Sequence, residues 1–211
     1  KGKALGTPIA NLLGGSYRKR IRIYADCGHG DQPTPASWAQ RAGLAVSRGF
    51  SAIKFDVDNI DPKRFGDPSH VSRGGWAAGQ QQPLSSAELD LQVSLVGAVR
   101  KAVGPRVDLA LDCHWNYNTV DALRLCREME PFKLLWIEDP TPPDNVEALK
   151  RVTDGSRVPI CSGENHYTRH GLRPMITTQA VDILQVDIPK AGGLLESKKI
   201  ADLADVYYMP F

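Results

Sequence analysis

Leu109-Ala-Leu-Asp-Cys-His-Trp115 is the stretch on which the reading of the chain turns. It reads as a buried strand that ends in Asp112 and His114, apolar up to its last polar pair. Two acidic residues follow at equal intervals, Glu138 lying 26 residues after Asp112 and Glu164 another 26 after Glu138. Each of the three closes a short apolar run: Val107–Asp112, Leu134–Glu138 and Pro159–Glu164. Strand ends repeated at one period predict a parallel β/α array with three carboxylates on one rim. Oxygen ligands converging on a point most simply hold a hard divalent cation such as Mg²⁺.

The bulk properties fit a single catalytic-sized domain. A chain of 211 residues can build one substantial core, and α/β barrels of about 250 residues commonly form one domain. With 26 basic against 24 acidic residues and no basic run, the charge gives no reason to expect nucleic acid or an anionic membrane as partner. No apolar stretch approaches the ~20 residues that span a bilayer, and residues 1–20 show no signal-peptide apolar region. Cys27, Cys113, Cys126 and Cys161 are scattered without a CxxC pair, which favours reduced thiols in a cytoplasmic protein over a disulfide framework or a zinc site. A homo-oligomer is compatible with all of this and is not specified by it.

Working outward, residues 1–20 read as a short helix through Ile9, Leu12 and Leu13 that Gly14-Gly15 ends and that leads into the barrel. The barrel segment is 21–211. Ile21–Ala25 alternates as a first strand ending at Asp26. Thr34-Pro35 starts a helix, with Thr as N-cap and Pro in the first position. Ser51–Asp58 is the second strand, with Lys54 and Asp56 on one face because alternate strand residues share a face. Residues 59–83 are rich in Gly, Pro, Gln and Asp and have no periodicity, as expected of an inserted binding loop or lid. Ser85 and Glu88 then form a capping box, and Leu89, Val93, Val96 and Val103 mark a buried helical stripe. Helices near 119–130, 144–153, 171–178 and 194–204 separate the remaining strands. The sixth strand is Asp182–Asp187, and Val206–Pro210 begins a seventh. Such alternation, with polar strand ends, predicts an α/β fold of the TIM-type (β/α)7β barrel class. The runner-up, an open doubly wound sheet, lacks its Gly-rich phosphate fingerprint after the first strand.

Several residues could carry chemistry, each with a plainer alternative. Asp112, Glu138 and Glu164 read as metal ligands. One such acid could simply cap a helix, but three at matching strand ends are harder to explain that way. His114, two residues past Asp112, suits proton transfer beside a metal-bound substrate, against a hydrogen-bonding or ligating role. Asp187 could orient a histidine base, cap a helix or pair with Lys190. Lys54 could be a base or electrophile, or a structural partner of Asp56 or Asp112. Asn116, Asn165, Tyr167 and Arg169 are candidate substrate contacts, Arg169 for a carboxylate. His29, His70, His166 and His170 read as solvated loop residues.

With these residues assembled, the chain resembles the enolase superfamily, in its mandelate racemase-like subgroup. The resemblance rests on Leu12-Leu-Gly-Gly15, Ala52-Ile-Lys54, Leu111-Asp112, Trp136-Ile-Glu138-Asp-Pro140, Gly163-Glu164, Asp187 and Gly192-Gly193. It implies that Asp112, Glu138 and Glu164 bind Mg²⁺, that the cation holds a substrate carboxylate, and that a base removes the adjacent α-proton to give an enediolate. Racemases of the subgroup carry Lys-x-Lys on the second strand, whereas this chain reads Lys54-Phe-Asp56. Its third strand instead reads Asp-x-His, as in the subgroup's acid-sugar dehydratases. By that resemblance the enzyme is a hydro-lyase giving a 2-keto-3-deoxy acid from an aldonate or aldarate. His114 is then the general acid for the departing hydroxyl, and Asp187 orients a base histidine expected past Phe211. The resemblance also implies that the family's N-terminal capping domain and last strand are absent from this stretch. The alternatives are an epimerase or cycloisomerase using Lys54 as base, or a non-catalytic barrel fragment.

Overall fold

The computed structural model describes residues 1–28, 30, 33–58 and 83–211. The inserted loop expected at 59–83, except Pro83, lies outside the described residues, as do His29 and His70. The described residues form one six-stranded sheet in sequential order: β1 (Ala25–Asp26), β2 (Ala52–Asp56), β3 (Asp108–Asp112), β4 (Ile137–Glu138), β5 (Ile160–Ser162) and β6 (Ile183–Leu184). Every pair is parallel, so all strands point their C-terminal ends at the same rim. This is the α/β barrel-type order expected from the spacing.

Nine α-helices are described, with a 3-10 turn over Glu130–Phe132 following the fifth. Short α1 (Gly2–Leu5) and α2 (Ile9–Leu12) precede α3 (Pro35–Ser47), α4 (Ser86–Val103), α5 (Thr119–Met129), α6 (Val146–Gly155), α7 (Thr168–Thr177), α8 (Ile188–Ala191) and α9 (Leu194–Val206). Their starts are written locally. Thr34 and Ser37 form a reciprocal capping box, and so do Ser85 and Glu88, while Asn118 and Asn145 cap α5 and α6. The core lies between sheet and helices. Trp38 of α3 is fully buried and stacks on Phe55 of β2 with ring centroids 4.5 Å apart. On α4 the fully buried residues are Leu95, Val96 and Val99 rather than Val93 and Val103, which are only partly covered. Gln92 turns inward with them, donating to the Val57 carbonyl at 2.9 Å and to Tyr117 Oη at 2.7 Å.

Three expectations are corrected. The first strand pairs only at Ala25–Asp26, and Ile21 and Ile23 are exposed. Arg22 of this segment is held by its side chain instead: its guanidinium donates to the Ser51 carbonyl at 2.7 Å and meets Asp108 at 2.5 Å. The seventh strand does not begin at Val206 as expected. The stripe Ile200, Ala204, Tyr207 recurs at helical spacing, α9 runs on to Val206, and Tyr208 then turns with φ 55°. Only the Pro210 carbonyl reaches the sheet, accepting from Leu184 N at 2.9 Å. The segment 1–20 contains two short helices instead of one, although Gly14 and Gly15 stop the second at positive φ as expected.

Candidate active site

Asp56, Asp112 and Glu138 stand side by side at the ends of β2, β3 and β4, because the register pairs Asp56 with Asp112 and Asp112 with Glu138. Lys54, two residues back on β2, reaches across both. Its Nζ lies 2.7 Å from Asp112 Oδ2 and 3.2 Å from each Glu138 oxygen, and 5.6 Å above the Tyr24 ring. All three charged groups are buried. Burial alone would lower the Lys54 ammonium's pKa, but Glu138 and Asp112 outweigh it and hold that pKa well above its ordinary value. Glu138 is pushed up to about 7, by burial first and by Asp112 next. It also accepts from Trp136 Nε1 at 3.1 Å and from Gln185 Nε2.

Glu164 completes the rim from the turn after β5. The rim holds two groups: ligand oxygens of Glu138, Asp139 and Glu164 lie within 4.8 Å of one another, and so do ligand atoms of Asp56, Asp112 and His114. The three expected ligands are thus divided between them, with Glu138 and Glu164 in one and Asp112 in the other. The residues fit a hard cation. The donors at Asp112, Glu138 and Glu164 are all carboxylate oxygens, and their negative charge exceeds what Lys54 alone neutralises. Asp139 is a neighbour rather than an obvious ligand: it is buried, accepts from Ser162 Oγ, and is raised to about 7 by burial.

His114 reaches the site by a route that strand periodicity does not describe. β3 stops at Asp112, and His114 and Trp115 adopt left-handed backbone at φ 43° and 61°. Two hydrogen bonds hold this turn, His114 N to Asp112 Oδ1 at 3.1 Å and Trp115 N to the Asp139 carbonyl at 2.8 Å. The shared strand face expected for Asp112 and His114 is therefore replaced by a turn that folds the imidazole back. Its Nε2 lies 3.7 Å from Asp112 Oδ2, while its Nδ1 lies 2.9 Å from Asp58 Oδ1. The hydrogen bond to Asp58 raises its pKa to about 9 against the opposing effect of burial, so at neutral pH the ring carries the proton a general acid needs.

The other expected site residues divide. Asn165 and Tyr167 line a cavity of about 560 Å³ together with Trp115, Pro143, Asp144 and His166. Asn116 is buried, and its Nδ2 is engaged by Asp58 Oδ2 at 3.0 Å and the Cys113 carbonyl at 2.9 Å. Arg169 is clamped by Glu196 of α9, with Nη1 at 2.8 and 2.7 Å from its two oxygens. Asp187 caps α8, accepting from Lys190 N at 2.9 Å, while Lys190 Nζ lies 3.4 Å from Asn165 Oδ1. His166 lies in a loop but is half-buried, and His170 is exposed as expected but lies on α7 rather than in a loop. Sequence reasoning missed Asp58 and Gln185. Both carried a signal, since period-two alternation places Asp58 with Lys54 and Asp56, and Gln185 with Asp187.

Six parallel strands with a buried acidic rim at their C-terminal ends define a β/α barrel-type protein built to gather positive charge there. The model of the family described as enolase C-terminal domain-like matches residues 37–211, and the chain belongs to that family. It is 40% identical over 210 residues to the D-xylonate dehydratase of Haloferax volcanii, covering 99% of this chain and 48% of that protein. The D-gluconate dehydratase of Thermoproteus tenax is 30% identical, with 98% of this chain and 38% of that protein covered. Among solved structures, a mandelate racemase/muconate lactonizing enzyme-like protein from Rubrobacter xylanophilus matches with TM-score 0.86 at 41% identity, over 100% of this chain and 54% of that one. An enolase superfamily member from Salmonella Typhimurium gives TM-score 0.85 at 35% identity, covering 98% and 53%. The chain thus spans about half the length of the curated dehydratases it matches.

Proposed function

We propose that this chain is the barrel portion of a Mg²⁺-dependent dehydratase that converts an aldonate or aldarate into a 2-keto-3-deoxy acid. The observation that supports the reading is a row of carboxylates beside a histidine placed as an acid: Lys54 joins Asp112 to Glu138, Glu138 gathers with Glu164, and His114 Nε2 is 3.7 Å from Asp112. The names of the relatives support the substrate class.

Asp112, Glu138 and Glu164 would hold the cation. When bound, it would supply positive charge for the substrate carboxylate and for the negative charge that builds as the α-proton leaves. Trp136 and Gln185 fix the Glu138 carboxylate, and Lys54 adds a fixed positive charge beneath the rim. His114 gives the Nε2 proton to the β-hydroxyl as its C–O bond breaks, so the group departs as water. Asn165 and Tyr167, lining the cavity, would contact the rest of the sugar chain. Asn116 and Arg169 act as supports within the protein. Asp187 would orient the base histidine expected past Phe211.

The alternative in which Lys54 is the base of an epimerase is less well supported. A base needs a free lone pair, and Lys54 Nζ is buried and held by two carboxylates. The test is a screen of aldonates and aldarates with Mg²⁺ and the intact enzyme that carries this chain. A dehydratase gives a 2-keto acid that a carbonyl reagent traps. Solvent deuterium entering C2 with no elimination would overturn the reading in favour of epimerisation.

A further inference from the structure

We infer that Asp58 is the positioning residue of the general acid, holding the His114 ring so that only Nε2 faces the substrate. The inference rests on the dehydratase reading and adds to it a residue from a different strand. Asp58 lies just beyond β2 and is 7% exposed. Its two oxygens have separate partners: Oδ1 meets His114 Nδ1 at 2.9 Å, and Oδ2 accepts from Asn116 Nδ2 at 3.0 Å. Asn116 is itself tied to the Cys113 carbonyl at 2.9 Å, so the carboxylate cannot swing away without breaking a buried amide contact.

His114 needs such a clamp. Its side chain is 38% exposed, and its backbone sits in a left-handed turn with no strand pairing to fix where the side chain points. A half-exposed imidazole free to rotate would spend much of its time with the wrong nitrogen, or neither, near the leaving group. A carboxylate accepts and does not donate, so Nδ1 must carry the proton in this contact. Nε2 is then left on the side of Asp112, beyond hydrogen-bonding distance at 3.7 Å and so not tied up by it. The same logic applies wherever an acidic side chain fixes a histidine's orientation through its far nitrogen.

The test uses the intact enzyme with Mg²⁺ and compares Asp58→Ala, Asp58→Asn and His114→Asn on two substrates. One is an aldonate that the wild type dehydrates. The other is its 3-deoxy-3-fluoro analogue, whose fluoride leaves without needing a proton. Removing a positioning residue should lower kcat for dehydration by about 10- to 100-fold with KM changed less than about threefold, since positioning is only part of the about 10²–10⁴-fold that a general acid supplies. Fluoride release should stay within about threefold of wild type, because no acid acts in that step. Asp58→Asn keeps the volume and one acceptor oxygen for Nδ1, so it should recover part of the loss, and it carries the comparison should the alanine variant not fold. Equal losses on both substrates would show a merely structural residue and overturn the inference. So would unimpaired dehydration in both Asp58 variants while His114→Asn abolishes it. A wild type that eliminates water from no sugar acid would overturn the dehydratase reading itself, and this inference with it.

Discussion

At Glu138, burial, a neighbouring carboxylate and a lysine compete for one side chain. Burial first and Asp112 next raise Glu138 to about 7, against the lowering effect of Lys54. Glu138→Gln removes a charged ligand oxygen and leaves Lys54 with Asp112 and, at 4.0 Å, Asp26. Its expected result is Mg²⁺ affinity lower by on the order of 100-fold or more, beyond the range for residues that only support ligands, with turnover lost. Mn²⁺ binding followed by electron paramagnetic resonance reads the first effect; unchanged binding would remove Glu138 from the ligand set. His114 has a different job, so its substitution has a different signature. His114→Asn should slow elimination by about 10²–10⁴-fold while solvent-deuterium exchange at C2 falls far less. Equal loss of both rates would argue against its role as acid. These two side chains were legible in sequence by type and spacing. Asp58 was legible by alternation with Lys54 and Asp56, but its partner His114 was not, because that contact crosses to another strand end.

Among the elements, the tightest constraint is where β5 leaves the sheet. Gly163 has φ 135°, and a Cβ there would come within 2.2 Å of the Gln185 carbonyl oxygen. Ser162 O accepts from Gln185 N at 3.1 Å, and the Gln185 side chain reaches Glu138. Gly163→Ala therefore forces β5 and β6 apart at the rim. A loss of about 3 kcal/mol is expected, at the upper end for single substitutions, measured by thermal unfolding. A variant as stable as wild type would show that the strands part without cost. The helix boundaries were the most readable elements, since Thr34, Ser85, Asn118 and Asn145 cap through atoms no more than three residues away. Strand lengths were the least readable. The sequence patterns Ile21–Ala25 and Val206–Pro210 look extended, yet the first pairs only at its end, Ala25–Asp26, and the second begins inside α9 and turns at Tyr208.

Over the whole molecule, the rim draws its acids from β3, β4 and the turn after β5, so a bound cation ties neighbouring strands together. Chelation should lower the unfolding free energy by about 2.7 kcal/mol relative to Mg²⁺ at a hundred times its dissociation constant, because a ligand that binds only the folded state adds stability by mass action. Melting curves with and without chelator check this, and coincident curves would count against the metal site. The four cysteines are free and buried. Burial raises Cys126 to about 11 and lifts Cys113 and Cys161 well above their ordinary values, which keeps them as unreactive thiols. In native protein at pH 8 none of the three should be alkylated rapidly, and all should be in denaturant, as followed by peptide mass spectrometry. Rapid native labelling of any one would contradict its burial. Among the described residues no helix is long and apolar enough to cross a membrane.

The sequence by itself determined the order of strands and helices, the caps, and the carboxylates at 112, 138 and 164. Each of these depends on local pattern: apolar periodicity, hydrogen-bonding side chains within one turn, and a constant spacing. The tertiary structure alone decided who touches whom. Lys54 bridges Asp112 and Glu138 across 58 and 84 residues of chain, and Asp58 meets His114 across 56. The left-handed turn at His114 could not be read from Asp-Cys-His alone, because beside the local bond to Asp112 it is held by the Asp139 carbonyl of another strand end. Contacts of that separation depend on strand register and on where each strand stops, and neither is encoded within the few residues that make the contact.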